Sequence, residues 1–561
     1  MNAVAMANSE IALVAWKYPN RIQKCLGFAL YRVDLHSRTK TPLPAWVGFK
    51  GQSNEKGQQR TTEEWPVQKF MWRDFKAKHD GLYQYEIVPM VGNSNNLTPL
   101  QDKKLTTNPV HLSPNCGNIY VYFNRGILAT QSLSRIIPKG PSGKPNYRKL
   151  VDRIDQPGDP LRNRLSGSIR EALMYLLNRA KREGGQCYCA LYELTDPELE
   201  DLLIGSPYVH LVLSNAGDDD GTNVSTRQAL HESHVDITDR MLPDGHIGHN
   251  KFVVYADNAN TPRAVLTGST NWTANALCGQ TNNALIIESP EVATIYLDYW
   301  RHLKDDNASQ SAVFRENNNV RHNYVEEENN IQLTTWFSPN TQRKTKPTSN
   351  PPVPSDLQEV FELMHKAEKA IIFLVFQPGS PSVIEEAKKC QDKNPNLIIR
   401  GAATDRKAVG QFDTDLFHRS GKSDGTVIAV AEIDDEFSFW QKELLKVSPK
   451  SHAVIHDKIV VIDPFSSDCA VITGSHNLGF KASYSNDENL IIARGNRALS
   501  EAYAIHVMDV YDHYRWRFMI QQKGKAAWSG LNTKDTWQDR YFIPGRRERR
   551  EIEFWTGHSG F

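Results

Sequence analysis

The chain says one thing twice. HNKFVVYADNANTPRAVLTGSTN runs from His249 to Asn271, and HDKIVVIDPFSSDCAVITGSHN runs from His456 to Asn477. This repetition constrains the fold more than any other feature, because a chain built from two copies of one unit buries two equivalent cores and can join them about an approximate twofold axis. The elements leading to each copy repeat as well. Ile169, Leu173, Leu176 and Leu177 share one helical face of SIREALMYLLNRAKREG, followed by the strand-like QCYCALYEL, the acidic helix candidate DPELEDLL and the strand VHLVLS. Leu357, Val360, Phe361 and Met364 line DLQEVFELMHKAEK, and AIIFLVF, SVIEEAKKCQ and LIIRGAAT come after it. Helices alternating with strands predict an α/β protein of two duplicated lobes, each a mixed sheet flanked by helices.

FVVY and IVVI read as buried strands, so His-x-Lys alternation puts His249 and Lys251 on one face, and His456 and Lys458 likewise. A turn and a return strand bring Gly-Ser-x-Asn beside each His. Glycine permits close backbone approach, while Ser269, Asn271, Ser475 and Asn477 offer hydrogen bonds to a ligand oxygen. Two such sets meeting at a pseudo-twofold axis surround one tetrahedral anion, with a His on each side for in-line attack and leaving-group protonation. The copies differ in one spacing: Asp463 is seven residues after His456, whereas Asp257 is eight after His249. Both aspartates precede their glycine by eleven residues, so the extra residue lies between Lys251 and Asp257, where a β-bulge in KFVVYAD absorbs it. Asp257 and Asp463 are expected to support the turn after the strand rather than touch substrate.

H-x-K-x(4)-D followed by GSxN at His456, and the same series with one added residue before Asp257 at His249, resembles the phospholipase D superfamily over residues 165–520. The resemblance implies one shared active site and a two-step phosphodiester reaction through a phosphohistidine, with no cofactor and no metal. By the family's order His249 is the nucleophile, and His456 protonates the leaving group and then activates water. The family also uses a carboxylate to orient a catalytic imidazole through Nδ1. Glu488 occupies that place eleven residues after Asn477, whereas Asn282 stands eleven after Asn271. Whether Glu488 serves its own lobe or reaches across is open in the sequence. GSTNWTANA…NNALII resembles the compact nuclease branch, which makes nucleic acid the favoured substrate over phospholipid. Two lobes fused in one chain also resemble the phospholipases and transphosphatidylases, the alternative. A degenerate binding scaffold is a third reading, opposed by the presence of all four His and Lys residues.

The remainder bounds the picture. Residues 1–126 read as β, with Tyr83, Tyr85 and Ile87 alternating on one face, and resemble a fibronectin type III or immunoglobulin-like sandwich with Tyr83 or Tyr85 as its corner tyrosine. Such a module is expected to bind a partner or position substrate. A basic Pro/Gly-rich connector spans 127–166, the lobes 167–335 and 336–520, and a C-terminal extension 521–561. GPSGKP lacks the spacing of a phosphate loop, GRRERRE reads as a solvated face, and NTQRKTKPTSNPPVPSD (340–356) lies near the junction of the lobes. His231, His234 and His246 read as part of a loop lining the cleft entrance rather than as metal ligands. The 66 basic and 65 acidic residues leave a net charge of +1, which gives no evidence for a nucleic-acid coat protein or membrane-surface binder but permits a locally basic cleft. Seven scattered cysteines without a CxxC pair indicate no disulfide framework. With no signal-peptide pattern at the N-terminus and no apolar run of the ~20 residues that span a bilayer, cytoplasmic location is expected; export without a cleaved signal fits the same sequence. Both halves of the site lie in one chain, so no homo-oligomer is required.

Overall fold

Each repeated phrase forms the hairpin at the middle of a sheet. The structure, a computed structural model, describes residues 2–52, 58–126, 148–216, 220–306, 309–326, 331–404, 427–430, 455–523 and 530–557. The first copy folds into antiparallel strands Lys251–Ala256 and Pro262–Gly268, the second into Ile459–Ile462 and Ala470–Gly474. Every residue of Lys251–Ala256 and Ile459–Ile462 is buried, as strands covered on both faces require. Side by side, the strands of the first sheet run Ile119–Phe123, Asn283–Ile287, Pro262–Gly268, Lys251–Ala256, Gln186–Leu191, Val209–Ala216 and Asp236–Leu242. The second sheet repeats that order with Ile331–Ser338, Glu488–Arg494, Ala470–Gly474, Ile459–Ile462, Ala370–Val375, Ile398–Ala403 and Val427–Ala429, and adds His322–Glu326 at its edge. In both, the last three strands are parallel and the rest antiparallel.

The helices form where the periodicity predicts them. Ile169–Glu183 buries Ile169, Ala172, Leu173, Leu176, Leu177 and Ala180, and Gly184 ends it with a left-handed φ of 70°. Pro197–Leu203 starts at Asp196, whose side chain accepts from Leu199 N. In the second lobe Ser355–His365 buries Leu357, Val360 and Met364, and Val383–Lys393 opens with a Ser382/Glu385 capping box. The bulge expected in KFVVYAD is not in that strand: the ladder of the first hairpin shifts register between Tyr255 and Ala256, but the unpaired residue is on the facing strand. The residue skipped there is Arg263 of the return strand, whose Nε donates to Asp257 Oδ2 at 2.7 Å.

The domain boundaries differ from those drawn on composition. The chain divides into one unit of residues 1–114 with 523–561 and another of 115–522. NIYVYF, assigned to the N-terminal β domain, instead pairs antiparallel with Asn283–Ile287 and opens the first lobe, as Ile331–Ser338 opens the second. The proposed boundary at 335/336 therefore falls inside a strand. The Pro-rich stretch 340–356 joins that strand to the first helix of its own lobe, and 127–166 occupies the same place in lobe one. Neither is a linker between domains: the described part of 127–166 forms the helices Arg148–Ile154 and Pro160–Ser166 of the first lobe. Of the connector, residues 127–147, including GPSGKP, lie outside the described residues, and 148–166 contributes Ile154, Leu161 and Leu165 to the first lobe's core. Local composition marks a loop but carries no information about which sheet a flanking strand joins.

The other unit has an antiparallel sheet of Asn2–Ala7, Ala12–Lys17 and Met71–Asp74, and a second built on Cys25–Asp34 and Leu82–Asn93. Trp16, Phe28, Tyr83, Tyr85 and Ile87 share its core. Tyr83 Oη accepts from Lys78 N at 3.2 Å, the backbone tie of a corner tyrosine, while Tyr85 donates to Asp74. The C-terminal segment is not a separate extension: Trp537 and Ile552 belong to this same core, and Trp537 Nε1 donates to Cys25 O at 2.9 Å. GRRERRE begins the helix Arg547–Thr556, with Arg549 paired to Glu553 on its exposed side. All seven cysteines are buried free thiols, and among the described residues no helix is long and apolar enough to cross a membrane.

Candidate active site

The two hairpins bring their histidines face to face. The His249 and His456 ring centroids are 6.3 Å apart at an interplanar angle of 70°, each residue no more than 4% exposed. Close packing of the hairpins depends on the glycines. A Cβ on Gly268 (φ 154°) would lie 2.4 Å from Asn283 O, and one on Gly474 (φ 134°) 2.4 Å from Asn489 O. The lysines follow the same symmetry. Lys251 Nζ donates to His249 O at 2.7 Å and stands 5.0 Å from the Tyr192 ring centroid; Lys458 Nζ donates to His456 O at 2.6 Å, 5.3 Å from Phe376. Tyr192 and Phe376, the residues just beyond equivalent strands, also pack on the two imidazoles. Their aromatic character was visible in sequence, but without a register nothing tied them to the site.

Orientation of the imidazoles crosses between lobes. Glu488 Oε2 of the second lobe lies 3.2 Å from His249 Nδ1 of the first. In return, His456 Nδ1 is 2.9 Å from Asn282 Oδ1 of the first lobe. Asn282, which in sequence is only a missing carboxylate, is thus the partner of the other histidine. Asn271 donates through Nδ2 to Glu193, and among the described residues neither Asn271 Oδ1 nor Asn477 Oδ1 has a hydrogen-bond partner. Ser269 and Ser475 depart from expectation. Both are fully buried, and their hydroxyls serve the scaffold: Ser269 donates to Asn282 Oδ1 and accepts from Asn283 N, and Ser475 accepts from Asn489 N. Asp257 holds the turn after its strand as expected, accepting from Ala259 N and Thr261 N, whereas the Asp463 carboxylate departs from that expectation and accepts from Glu368, Lys369 and Ala370 N at the start of the neighbouring strand.

His231, His234 and His246 do not converge. His231 lies in the last turn of a helix and pairs with Asp239, and buried His246, in the loop that leads to His249, bonds Gln310. Among the described residues no group of three or more His, Cys, Asp or Glu side chains could hold a metal ion.

Burial governs the charges. Desolvation, reinforced by the two ammonium groups, holds both histidines well below the ordinary imidazole value. It raises the Glu488 carboxyl, against the pull of His476, Asn486 and both lysines. Lys251 is pushed well below its ordinary value by burial and by Lys458, and Lys458 is lowered to about 7 by burial, opposed by Glu488, Asp457 and Glu193. Opposed, buried, perturbed groups of this kind mark a site built to receive a charge rather than to stabilise a fold. A stability prediction follows. The folded-state value of Lys458 lies below its unfolded one, so the unfolded chain binds the extra proton between about pH 7 and 10.5. Its destabilising effect is full below pH 7 and fades as pH rises through that window. Lys458→Met is expected to raise the melting temperature at pH 6, with the gain shrinking toward pH 10; thermal denaturation across that range reads it.

Residues 360–506, which include the second His, Lys, Asn and Glu of the site, match the family model of the cardiolipin synthase PLD-like domain. No curated protein matches the chain in sequence. Among solved structures, the chain is similar to polyphosphate kinase from Porphyromonas gingivalis, with 10% identity over 58% of this chain and a TM-score of 0.35, spanning less than half (46%) of that protein. Phosphatidylserine synthase from Haemophilus influenzae shares 11% identity over 69% of this chain and 93% of its own, with a TM-score of 0.40. The phospholipase D family member Nuc from Salmonella typhimurium shares 22% identity over 25% of this chain and 87% of its own, with a TM-score of 0.21.

Proposed function

We propose that this chain, a member of the phospholipase D superfamily with both halves of one site, hydrolyses phosphodiesters through a covalent phosphohistidine, and that its substrate is nucleic acid. The observation that carries the chemistry is the opposed pair of imidazoles, each with a residue of the other lobe beside its Nδ1: Glu488 Oε2 stands 3.2 Å from that of His249, and Asn282 Oδ1 is hydrogen-bonded to that of His456 at 2.9 Å. In a near-attack arrangement reacting atoms stand about 3–3.5 Å apart, so rings this close are separated by roughly one phosphoryl group. His249 Nε2 gives its lone pair to phosphorus; the P–N bond forms as the P–O bond to the leaving group breaks, and His456 Nε2 delivers a proton to the departing oxygen. Water then attacks phosphorus, losing a proton to His456, and the P–N bond breaks to release His249. Lys251, Lys458, Asn271 and Asn477 surround the non-bridging oxygens. Bound anionic substrate favours the charged lysines that burial alone disfavours, so charge stabilisation is present only when there is a charge to stabilise.

The nucleic-acid reading rests on the likeness of GSTNWTANA to the nuclease branch. In this fold Trp272 is fully buried in the core of the first lobe and Thr273 caps the short helix Ala274–Cys278. The match of 360–506 to the cardiolipin synthase PLD-like domain favours a second reading, a phospholipase or transphosphatidylase.

The test is a substrate screen in EDTA with the wild type and a His249→Asn/His456→Asn control. Single- and double-stranded DNA, RNA, and phosphatidylcholine or cardiolipin vesicles are offered in parallel. Wild-type-only cleavage of nucleic acid, undiminished by EDTA, is the expected result. Release of headgroup with intact nucleic acid would replace the first reading by the second.

A further inference from the structure

The two halves of the site differ by an exchange of charge. Around His249 the orienting residue is a carboxylate, Glu488, and the residue after the histidine is an amide, Asn250. Around His456 the orienting residue is an amide, Asn282, and the residue after the histidine is a carboxylate, Asp457. The surroundings are otherwise repeated. Asn489 Nδ2 donates to Asn250 Oδ1 at 3.0 Å, while its Oδ1 accepts from Thr267 and Tyr296. Asn283 Nδ2 donates to Asp457 Oδ1 at 2.9 Å, while its Oδ1 accepts from Thr473 and Tyr503. Behind Asn250 stands the Tyr299 hydroxyl at 3.0 Å; behind Asp457 stands His506, its Nε2 2.9 Å from Oδ2 and its ring stacked on Phe123.

We propose that Asp457 is the positioning residue for His456, doing through a chain of hydrogen bonds what Glu488 does for His249 by direct approach. A carboxylate can only accept hydrogen bonds, so it faces an imidazole N–H with one polarity; an amide presents either end and has none of its own. Asp457 supplies the polarity that Asn282 lacks. With Asp457 accepting, Asn283 must turn its NH2 toward it. The same NH2 (3.3 Å) and Asn283 N (3.0 Å) then donate to Ser269 Oγ. The Ser269 hydroxyl hydrogen is thereby directed at Asn282 Oδ1, 2.8 Å away, and Asn282 Nδ2 is held on Ala276 O at 2.9 Å. Asn282 Oδ1 therefore faces His456 and Nδ1 keeps its hydrogen, which leaves Nε2 as the nitrogen that exchanges the leaving group's proton once a bound anion favours the imidazolium. This chain of bonds is buried from end to end, where a misdirected donor is costly and neighbouring bonds reinforce one another.

The inference rests on the proposed reaction with His456 as the acid, and leaving-group dependence tests it apart from a structural role. An aryl oxide such as 4-nitrophenolate departs without protonation, whereas an alkoxide requires it. Single-turnover leaving-group release is measured with bis(4-nitrophenyl) phosphate and with a short oligonucleotide, or with phosphatidylcholine micelles should lipid prove to be the substrate. Asp457→Asn is expected to slow alcohol release by about tenfold or more and nitrophenol release hardly at all. The exchange variant Asp457→Asn/Asn282→Asp, which moves the carboxylate into direct contact with His456, is expected to recover alcohol release. Equal slowing of both leaving groups without recovery, or no slowing of either, overturns the assignment. A wild type that releases neither leaving group instead overturns the phosphodiesterase reading beneath it.

Discussion

His249→Asn is expected to lower turnover by at least about 10⁴-fold and to leave no phosphoenzyme, while His456→Asn keeps one half of the reaction. The difference comes from what each imidazole must do. His249 forms the bond to phosphorus, and no neighbour can replace it: the nearest nitrogens, Lys251 Nζ and Lys458 Nζ, are held on backbone carbonyls of the histidines themselves. His456 moves protons, and a substrate with a nitrophenol leaving group does not need the first of those transfers. His456→Asn should therefore release one equivalent of nitrophenol and stall as an acid-labile, base-stable phosphohistidine, detectable by intact-protein mass. If His249→Asn were to trap the adduct and His456→Asn not, the two roles would be reversed. Neither substitution should unfold the chain, since asparagine fills less volume than histidine and both positions line the space for the substrate.

The second large effect is expected at Glu488. Its Oε2 faces His249 Nδ1 at 3.2 Å, and its Oε1 accepts from Asn486 Nδ2 at 2.7 Å, so the carboxylate is held from behind and aimed across the lobe interface. Glu488→Gln keeps the shape and removes the acceptor-only character. The amide NH2 can turn toward Nδ1, forcing the hydrogen to Nε2 and blocking the lone pair that attacks phosphorus. A loss of roughly 10³ in turnover is expected, by analogy with other carboxylate-to-amide changes behind a catalytic histidine. Phosphoenzyme formation and turnover should fall together, because the damage is to the nucleophile. Unchanged kinetics would remove Glu488 from the site. A fall in dephosphorylation alone would tie it to His456 and contradict the crossed geometry.

Much of this was legible beforehand for one physical reason: period-two and period-3.6 patterns report burial locally. The helices Ile169–Glu183 and Ser355–His365, the buried strands of both hairpins, and the pairing of each His with its Lys all follow from such patterns. The bulge of the first hairpin was assigned by counting to KFVVYAD, whereas the residue skipped in pairing is Arg263 of the return strand, because spacing alone does not say which strand absorbs an extra residue. Boundaries were less legible. NIYVYF has the alternation of a strand in any sheet, and only its pairing with Asn283–Ile287 assigns it to the first lobe. The same holds for Trp537, an aromatic of the C-terminal segment that completes a core begun five hundred residues earlier.

The sequence by itself determined the duplication, the α/β lobes, and the identity of the two His, two Lys and two Asn residues, because these depend on residue type and on spacings shorter than a hairpin. The tertiary structure alone decided that Glu488 serves His249 and Asn282 serves His456, that the serines are scaffold, and that Asp457 and Asn250 exchange places with Glu488 and Asn282 in charge. The crossed relations are distances between atoms some two hundred residues apart, set by how two sheets meet, while the serine bonds join neighbouring strands of one sheet whose register the sequence does not give.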